Sequence, residues 1–217
     1  MSVDVREYFQ AALKAMDVAT AQIQHAYQLL YDMGGDGAPA VRVLDIPWAS
    51  QLGKDAAYSN SDCGPACVAM WLRWLGKTVT VDQVSKATGL PQGYKYTMPA
   101  NLMLAAKAHG LNIGRAFNVS IASLRAAIDA GAPAIVLVHY ASLPESKRFD
   151  PKFTSGHWVL VVGYTIDAGD VIYHDPYWPD TRGQMVRVTA AEFERAMRDC
   201  GIDGNTPNQA LLLKGVG

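Results

Sequence analysis

Between residues 134 and 174 the chain changes texture, and that change constrains the fold more than any other feature. Ala134-Ile135-Val136-Leu137-Val138-His139 is one β-branched run, Trp158-Val159-Leu160-Val161-Val162-Gly163-Tyr164 a second, and Asp170-Val171-Ile172-Tyr173-His174 a third. Branching at Cβ stiffens the side chain and favours extended backbone, so all three read as strands. The turn Asp167-Ala168-Gly169-Asp170 between the last two is too short for a crossover, which makes them antiparallel neighbours. Weaker strand patterns follow at 184–188 and 209–214, with a helix at 190–198 between them.

Upstream the texture is helical. Gly64-Pro65 opens an apolar helix that runs through Ala66 to Leu75 and closes at Gly76. Proline in the first turn and glycine just past the end is the usual asymmetry of helix termini. A helix apolar almost all round is a buried one. Further helices are expected at 81–88, 99–109 and 121–130, the last with Ser120 as N-cap and Gly131 as terminator. A short strand at 41–47 precedes them. Helices first and an antiparallel sheet second define an α+β fold, with no sign of βαβ alternation.

Residues 1–35 stand apart. From Phe9 onward the apolar positions Ala12, Met16, Ala19, Ile23 and Leu30 follow helical spacing along one seam. This segment reads as an N-terminal amphipathic helix that serves docking or self-association. Gly34-Gly35-Asp36-Gly37-Ala38-Pro39 breaks it, and residues 36–42 read as a linker to a single domain at 43–217.

Composition removes several function classes. Lys+Arg number 19 against Asp+Glu 20, so no basic excess is available to neutralise a phosphate backbone and nucleic acid is not an expected partner. No apolar run approaches the roughly 20 residues that span a bilayer. The first residues carry Asp4 and Glu7 where a secretion signal needs a basic start, so the expected location is cytoplasmic. Three cysteines are few and odd in number, which suits free thiols in a reducing setting better than a disulfide framework.

One of those cysteines is placed for chemistry. Cys63 lies directly before Gly64-Pro65, at the N-terminus of the buried helix, where the dipole and free N–H groups favour a thiolate. Gly156-His157-Trp158 begins the longest strand, and Asp175-Pro176-Tyr177 ends the next, 18 residues after His157. A tight antiparallel pair brings the start of one strand beside the end of the other, so His157 and Asp175 meet at one end of the sheet. A thiolate nucleophile, an imidazole that protonates the leaving amine and an acid that fixes the ring tautomer form a working set. The Cys63 N–H and an upstream side-chain amide would receive the oxyanion. Gln51, 12 residues before Cys63, is the candidate for that amide, and Asn60 is its competitor.

The blocks Ile46-Pro47-Trp48 with Gln51, Cys63-Gly64-Pro65-Ala66, Gly156-His157-Trp158-Val159 and Asp175-Pro176-Tyr177 resemble, in this order, the bacteriocin-processing (double-glycine) peptidase-like branch of the papain-like cysteine peptidases. The resemblance covers about 43–213. It implies the papain-like fold, with Cys63 as nucleophile, His157 as general acid and base, Asp175 as orienting acid and Gln51 as oxyanion donor. It implies a peptide or protein substrate and no cofactor. The Gln51-to-Cys63 interval is longer than the resemblance leads one to expect, with 53–60 reading as inserted.

Other readings compete. The same triad can transfer acyl groups or deamidate glutamine, and a papain-like fold can serve as a non-catalytic binding or assembly module. Cys63 and Cys67 are spaced like metal ligands, but Gly64-Pro65 suits a helix start better than a chelating knuckle. Cys67 and Cys200 read as buried bystanders. His139 is the reserve candidate for His157, and His174 is expected on the opposite sheet face. Trp48, Trp158, Tyr177 and Trp178 are candidates for lining the cleft. Gly34-Gly35 resembles a double-glycine cleavage site, yet Asp32 stands where a leader carries an apolar residue, so a helix end and linker is the better reading.

Overall fold

The computed structural model describes residues 40–56, 61–91, 94 and 96–214. The expected N-terminal helix, Gly34-Gly35 and Asn60 lie outside the described residues. Val41–Gly217 forms one compact unit. Val41–Val43 is strand, the first part of the one expected at 41–47, with Arg42 opposite Tyr164.

Seven strands make one antiparallel sheet: β1 (Val41–Val43), β2 (Ile113–Ala116), β3 (Ala134–His139), β4 (Gly156–Thr165), β5 (Val171–His174), β6 (Val186–Val188) and β7 (Ala210–Leu213). Their order is β2-β7-β3-β4-β5-β6, and β1 pairs with the far half of β4. Every residue of β3 is buried, so both of its faces are covered. The helices are α1 (Cys63–Trp74), α2 (Val81–Ala87), α3 (Pro99–Ala108), α4 (Ile121–Asp129) and α5 (Ala190–Arg198). α1 packs on β4 and β3, and α5 packs on β3. Among the described residues no helix is long and apolar enough to cross a membrane.

α1 is the structural centre. Ala66, Val68, Met70, Trp71 and Leu72 are all buried, which fits the apolar run that predicts it. Each large side chain so buried contributes about 1.5–3 kcal/mol by area, and this fixes where the helix begins. Its start is crowded: a Cβ on Gly64 would lie 2.7 Å from the Leu102 side chain of α3, so only glycine permits that approach. Capping boxes fix three of the other four helix starts, with Thr80 accepting from the Gln83 N–H, Ser120 from that of Ser123, and Thr189 from that of Glu192.

The sheet departs from the sequence expectation at two further places. β2 was not expected, because Ile113-Gly114-Arg115-Ala116 has little strand character of its own; it forms by pairing with β7 from Ile113↔Leu213 to Ala116↔Ala210. β6 starts at Val186 rather than 184, since Met185 adopts a left-handed φ of 56° that breaks the extended run.

Candidate active site

Cys63 is the first residue of α1, one position before the Gly64-Pro65 start read from the sequence, and Asp62 holds the N-cap position. The Asp62 side chain makes no capping bond; its Oδ1 accepts from the hydroxyls of Ser85 and Tyr94. Cys63 is half-buried at the wall of a cleft of about 670 Å³. The helical side of this cleft presents Ser61, Cys63, Thr97 and Pro99, and the sheet side presents Leu137, Gly156, His157 and Trp158. One hydrogen bond joins the sides, Trp158 Nε1 donating to the Thr97 carbonyl at 2.9 Å, and within the helical side Thr97 Oγ1 donates to the Ser61 carbonyl at 3.0 Å.

His157 opens β4 beside the end of β5, as the hairpin geometry predicts. Its Nε2 lies 2.7 Å from Asp175 Oδ1, and both side chains are almost wholly buried. That leaves Nδ1 for the adjacent Cys63. Burial pulls the imidazole pKa down, but the Asp175 charge and hydrogen bond, with the neighbouring Cys63 sulfur, more than reverse this. The net effect raises His157 from the ordinary 6.5 to about 9. The ring therefore carries a proton at neutral pH, opposite a cysteine at the cleft wall.

Asp175 is held on every side. Its Oδ1 also accepts from the Tyr177 N–H at 2.9 Å, and its Oδ2 accepts from the Tyr140 hydroxyl at 3.1 Å. Its backbone N–H donates to the Gly183 carbonyl at 2.8 Å, and its carbonyl accepts from Trp48 Nε1 at 3.0 Å. Gly183 is required there, since a Cβ would come within 2.3 Å of the Asp175 carbonyl oxygen. Tyr140, Phe153 and Tyr177 surround the imidazole, with ring centroids 4.9, 6.2 and 5.9 Å away. Tyr140 also accepts from the Phe149 N–H at 2.8 Å, so the 143–155 segment is tied to the acid through one hydroxyl.

Gln51 lies on the cleft wall with Cys63 and is buried. Its backbone N–H donates to the Pro176 carbonyl at 2.7 Å, and Ser50 Oγ donates to the Trp178 carbonyl at 2.6 Å. The segment carrying Gln51 is thus fastened to the segment carrying Asp175. The structure brings Cys63, His157, Asp175 and Gln51 to one place.

The other candidates sort differently. Trp158 and Tyr177 line the cleft, whereas Trp48 stands behind Asp175 and Trp178 is not among the lining residues. His139 is engaged elsewhere, with Nδ1 2.9 Å from Ser142 Oγ and Nε2 3.7 Å from Asp203 Oδ2. His174 turns away and donates from Nε2 to the Ile46 carbonyl at 2.8 Å, and burial lowers its pKa. Cys67 is buried with its sulfur 3.5 Å from the Trp158 carbonyl, and burial raises its thiol pKa well above the ordinary value. Burial likewise pushes Cys200 up to about 12. Among the described residues no three of His, Cys, Asp and Glu form a metal-holding group. Sequence reasoning missed the roles of Tyr140, Gly183 and the Trp48 indole in fixing the acid. For Tyr140 the available signal was its place just beyond a buried strand that ends beside the histidine.

A family model matches residues 43–201, almost the whole of this unit and well over half the chain, and its description is Peptidase_C39 like family. The chain belongs to that family. Cys63, His157 and Asp175 all fall within the matched span. No curated protein matches significantly. Among solved structures, one described as a C39-like peptidase from Bacillus anthracis is 18% identical with a TM-score of 0.56, covering 81% of this chain and 98% of that one. A double glycine motif protease from an AMS/PCAT transporter, solved with the leader peptide, is 19% identical with a TM-score of 0.49, covering 80% and 94%. The likeness to the Bacillus anthracis protein is one of fold.

Proposed function

We propose that the protein is a thiol peptidase that cleaves peptide or protein substrates through an acyl-enzyme on Cys63. The observation that carries this reading is His157, held by Asp175 at 2.7 Å and raised to about 9 beside a half-buried cysteine on an open cleft. A protonated imidazole next to a cysteine at a helix N-terminus stabilises the thiolate by charge.

In the first step the Cys63 thiolate attacks the carbonyl carbon of the scissile bond. The oxygen becomes an oxyanion, received by the Cys63 N–H and the Gln51 side-chain amide. His157 passes its Nδ1 proton to the departing nitrogen, the C–N bond breaks, and an amine leaves. A thioester on Cys63 remains. Water then attacks it, the neutral imidazole takes the water proton, and the C–S bond breaks to release the acid and restore the thiolate. Asp175 Oδ1 accepts from Nε2–H throughout and so holds that tautomer.

Alkylation tests this directly. Iodoacetamide at pH 7 is expected to add one carbamidomethyl group, on Cys63 alone, because burial keeps Cys67 and Cys200 as inaccessible thiols. Peptide-library profiling of the wild type should show cleavages absent with Cys63→Ala. Cleavage surviving in Cys63→Ala, or three cysteines reacting alike and only at alkaline pH, would overturn the mechanism.

A further inference from the structure

The cleft extends well beyond the catalytic residues, and its far end carries a cation without a matching anion. Arg115 in β2 lines it. Arg115 Nε donates to Gln209 Oε1 at 2.9 Å and one terminal nitrogen donates to Thr206 Oγ1 at 2.9 Å. The guanidinium carbon also stands 4.6 Å from the centre of the Phe117 ring. Both hydrogen-bond acceptors are neutral, and among the described residues Arg115 forms no ion pair. Asp203, the acid among the cleft-lining residues, is 3.7 Å from His139 Nε2 instead. A side chain as long as arginine loses rotamer entropy when it is pinned at three points. Here that pinning leaves the positive charge uncompensated and facing the cleft.

The sheet sets how far this charge is from the reacting bond. Trp158 of β4 pairs with Leu137 of β3, the Leu137 N–H donates to the Gln209 carbonyl just before β7, and Arg115 of β2 pairs with Leu211 of β7. Arg115 lies two residues off the row of Trp158, Leu137 and Gln209, level with Leu211 and Ile135, and so on the same face of the sheet. From β4, which carries His157, to β2 there are three strand spacings, about 14 Å at roughly 4.8 Å each, and the offset makes the path a diagonal of about 16 Å. An extended peptide advances about 3.3 Å per residue, so four to five residues cover that path.

We infer that Arg115 is a specificity site for a carboxylate on the substrate, four to five residues from the scissile bond. The inference rests on the peptidase reading of the cleft and adds the chemistry of one distant subsite. The planar guanidinium, already held flat by Gln209 and Phe117, suits a carboxylate better than a lysine would. The carboxylate comes from an internal Asp or Glu or from the peptide's own C-terminus.

The experiment uses a cleavable peptide found by library profiling, remade with Glu, Gln or Lys at each of the third to fifth positions on either side of the cleaved bond. A further pair ends in a free acid or an amide. Relative kcat/KM on wild type is compared with affinity for the Cys63→Ala protein by fluorescence anisotropy. At one position Glu should exceed Gln by about three- to tenfold, the range for a partly exposed charged pair. Arg115→Gln should bring that ratio close to one, and Arg115→Glu should invert it in favour of Lys. If only the free C-terminus shows the ratio, the carboxylate is terminal. Equal use of Glu, Gln and Lys at every position, or a preference that Arg115→Glu leaves unchanged, would overturn the inference. If no peptide is cleaved but Cys63→Ala binds acidic peptides through Arg115, the subsite stands and the peptidase reading falls.

Discussion

Replacing Asp175 by Asn isolates charge from shape. The asparagine Oδ1 can still accept from His157 Nε2 and from the Tyr177 N–H, the partners that Asp175 Oδ1 has now. The Tyr140 hydroxyl can turn to receive the amide. What disappears is the negative charge that opposes the effect of burial on His157. With the imidazole at about 9, roughly 97% of it is protonated at pH 7.5; at the ordinary 6.5 roughly 9% would be, and burial unopposed by the charge takes it lower still. The catalytic ion pair would therefore fall at least about tenfold at pH 7.5 and at least about seventyfold at pH 8.5, with the loss shrinking toward pH 5.5. The assay is kcat/KM for wild type and Asp175→Asn from pH 5.5 to 9, plotted as a ratio so that the acid limb common to both cancels. Rates of Cys63 alkylation over the same range supply a readout independent of substrate. A ratio that does not change with pH would show that Asp175 acts through geometry alone and would refute the electrostatic argument.

Two further substitutions address how the acid is held. Tyr140→Phe keeps the ring against His157 but removes the hydroxyl between Asp175 and the Phe149 N–H; it should cost about 1.5–3 kcal/mol in chemical denaturation and lower kcat/KM about tenfold. Gly183→Ala pushes a methyl against the Asp175 carbonyl oxygen and the Trp178 side chain, so kcat should drop while iodoacetamide still reaches Cys63. A Gly183→Ala enzyme with wild-type kcat would show that the Asp175 backbone can shift without consequence.

Local signals carried most of the fold. β3 at 134–139 and α5 at 190–198 match their sequence expectations residue for residue, because a β-branched run bounded by Pro133 and a capped, amphipathic stretch each encode their own state. β2 was illegible for the opposite reason: its four residues become a strand only because β7 arrives beside them after almost the whole unit has been traversed. Within the site, Cys63, His157 and Asp175 were legible since a helix start and two ends of a tight hairpin determine their positions. The surroundings that give them their properties were not. Nothing in the sequence around Tyr140 says that its hydroxyl meets the Asp175 carboxylate, because the contact joins a short 3-10 turn to a strand end 35 residues later. Arg115 was hidden for the same reason as the strand that carries it.

The attachment of Gln51 to Pro176 has an evolutionary consequence. Gln51 precedes Cys63 in the chain, yet its hydrogen bond runs across to the turn after Asp175, and the Ser50 hydroxyl reaches the same turn. Its position is therefore set by the far side of the molecule, not by the length of chain leading to the nucleophile. Residues between them can be gained or lost, as the long 53–60 interval illustrates, without moving Gln51 relative to the acid. The amide and the carboxylate therefore drift together or not at all.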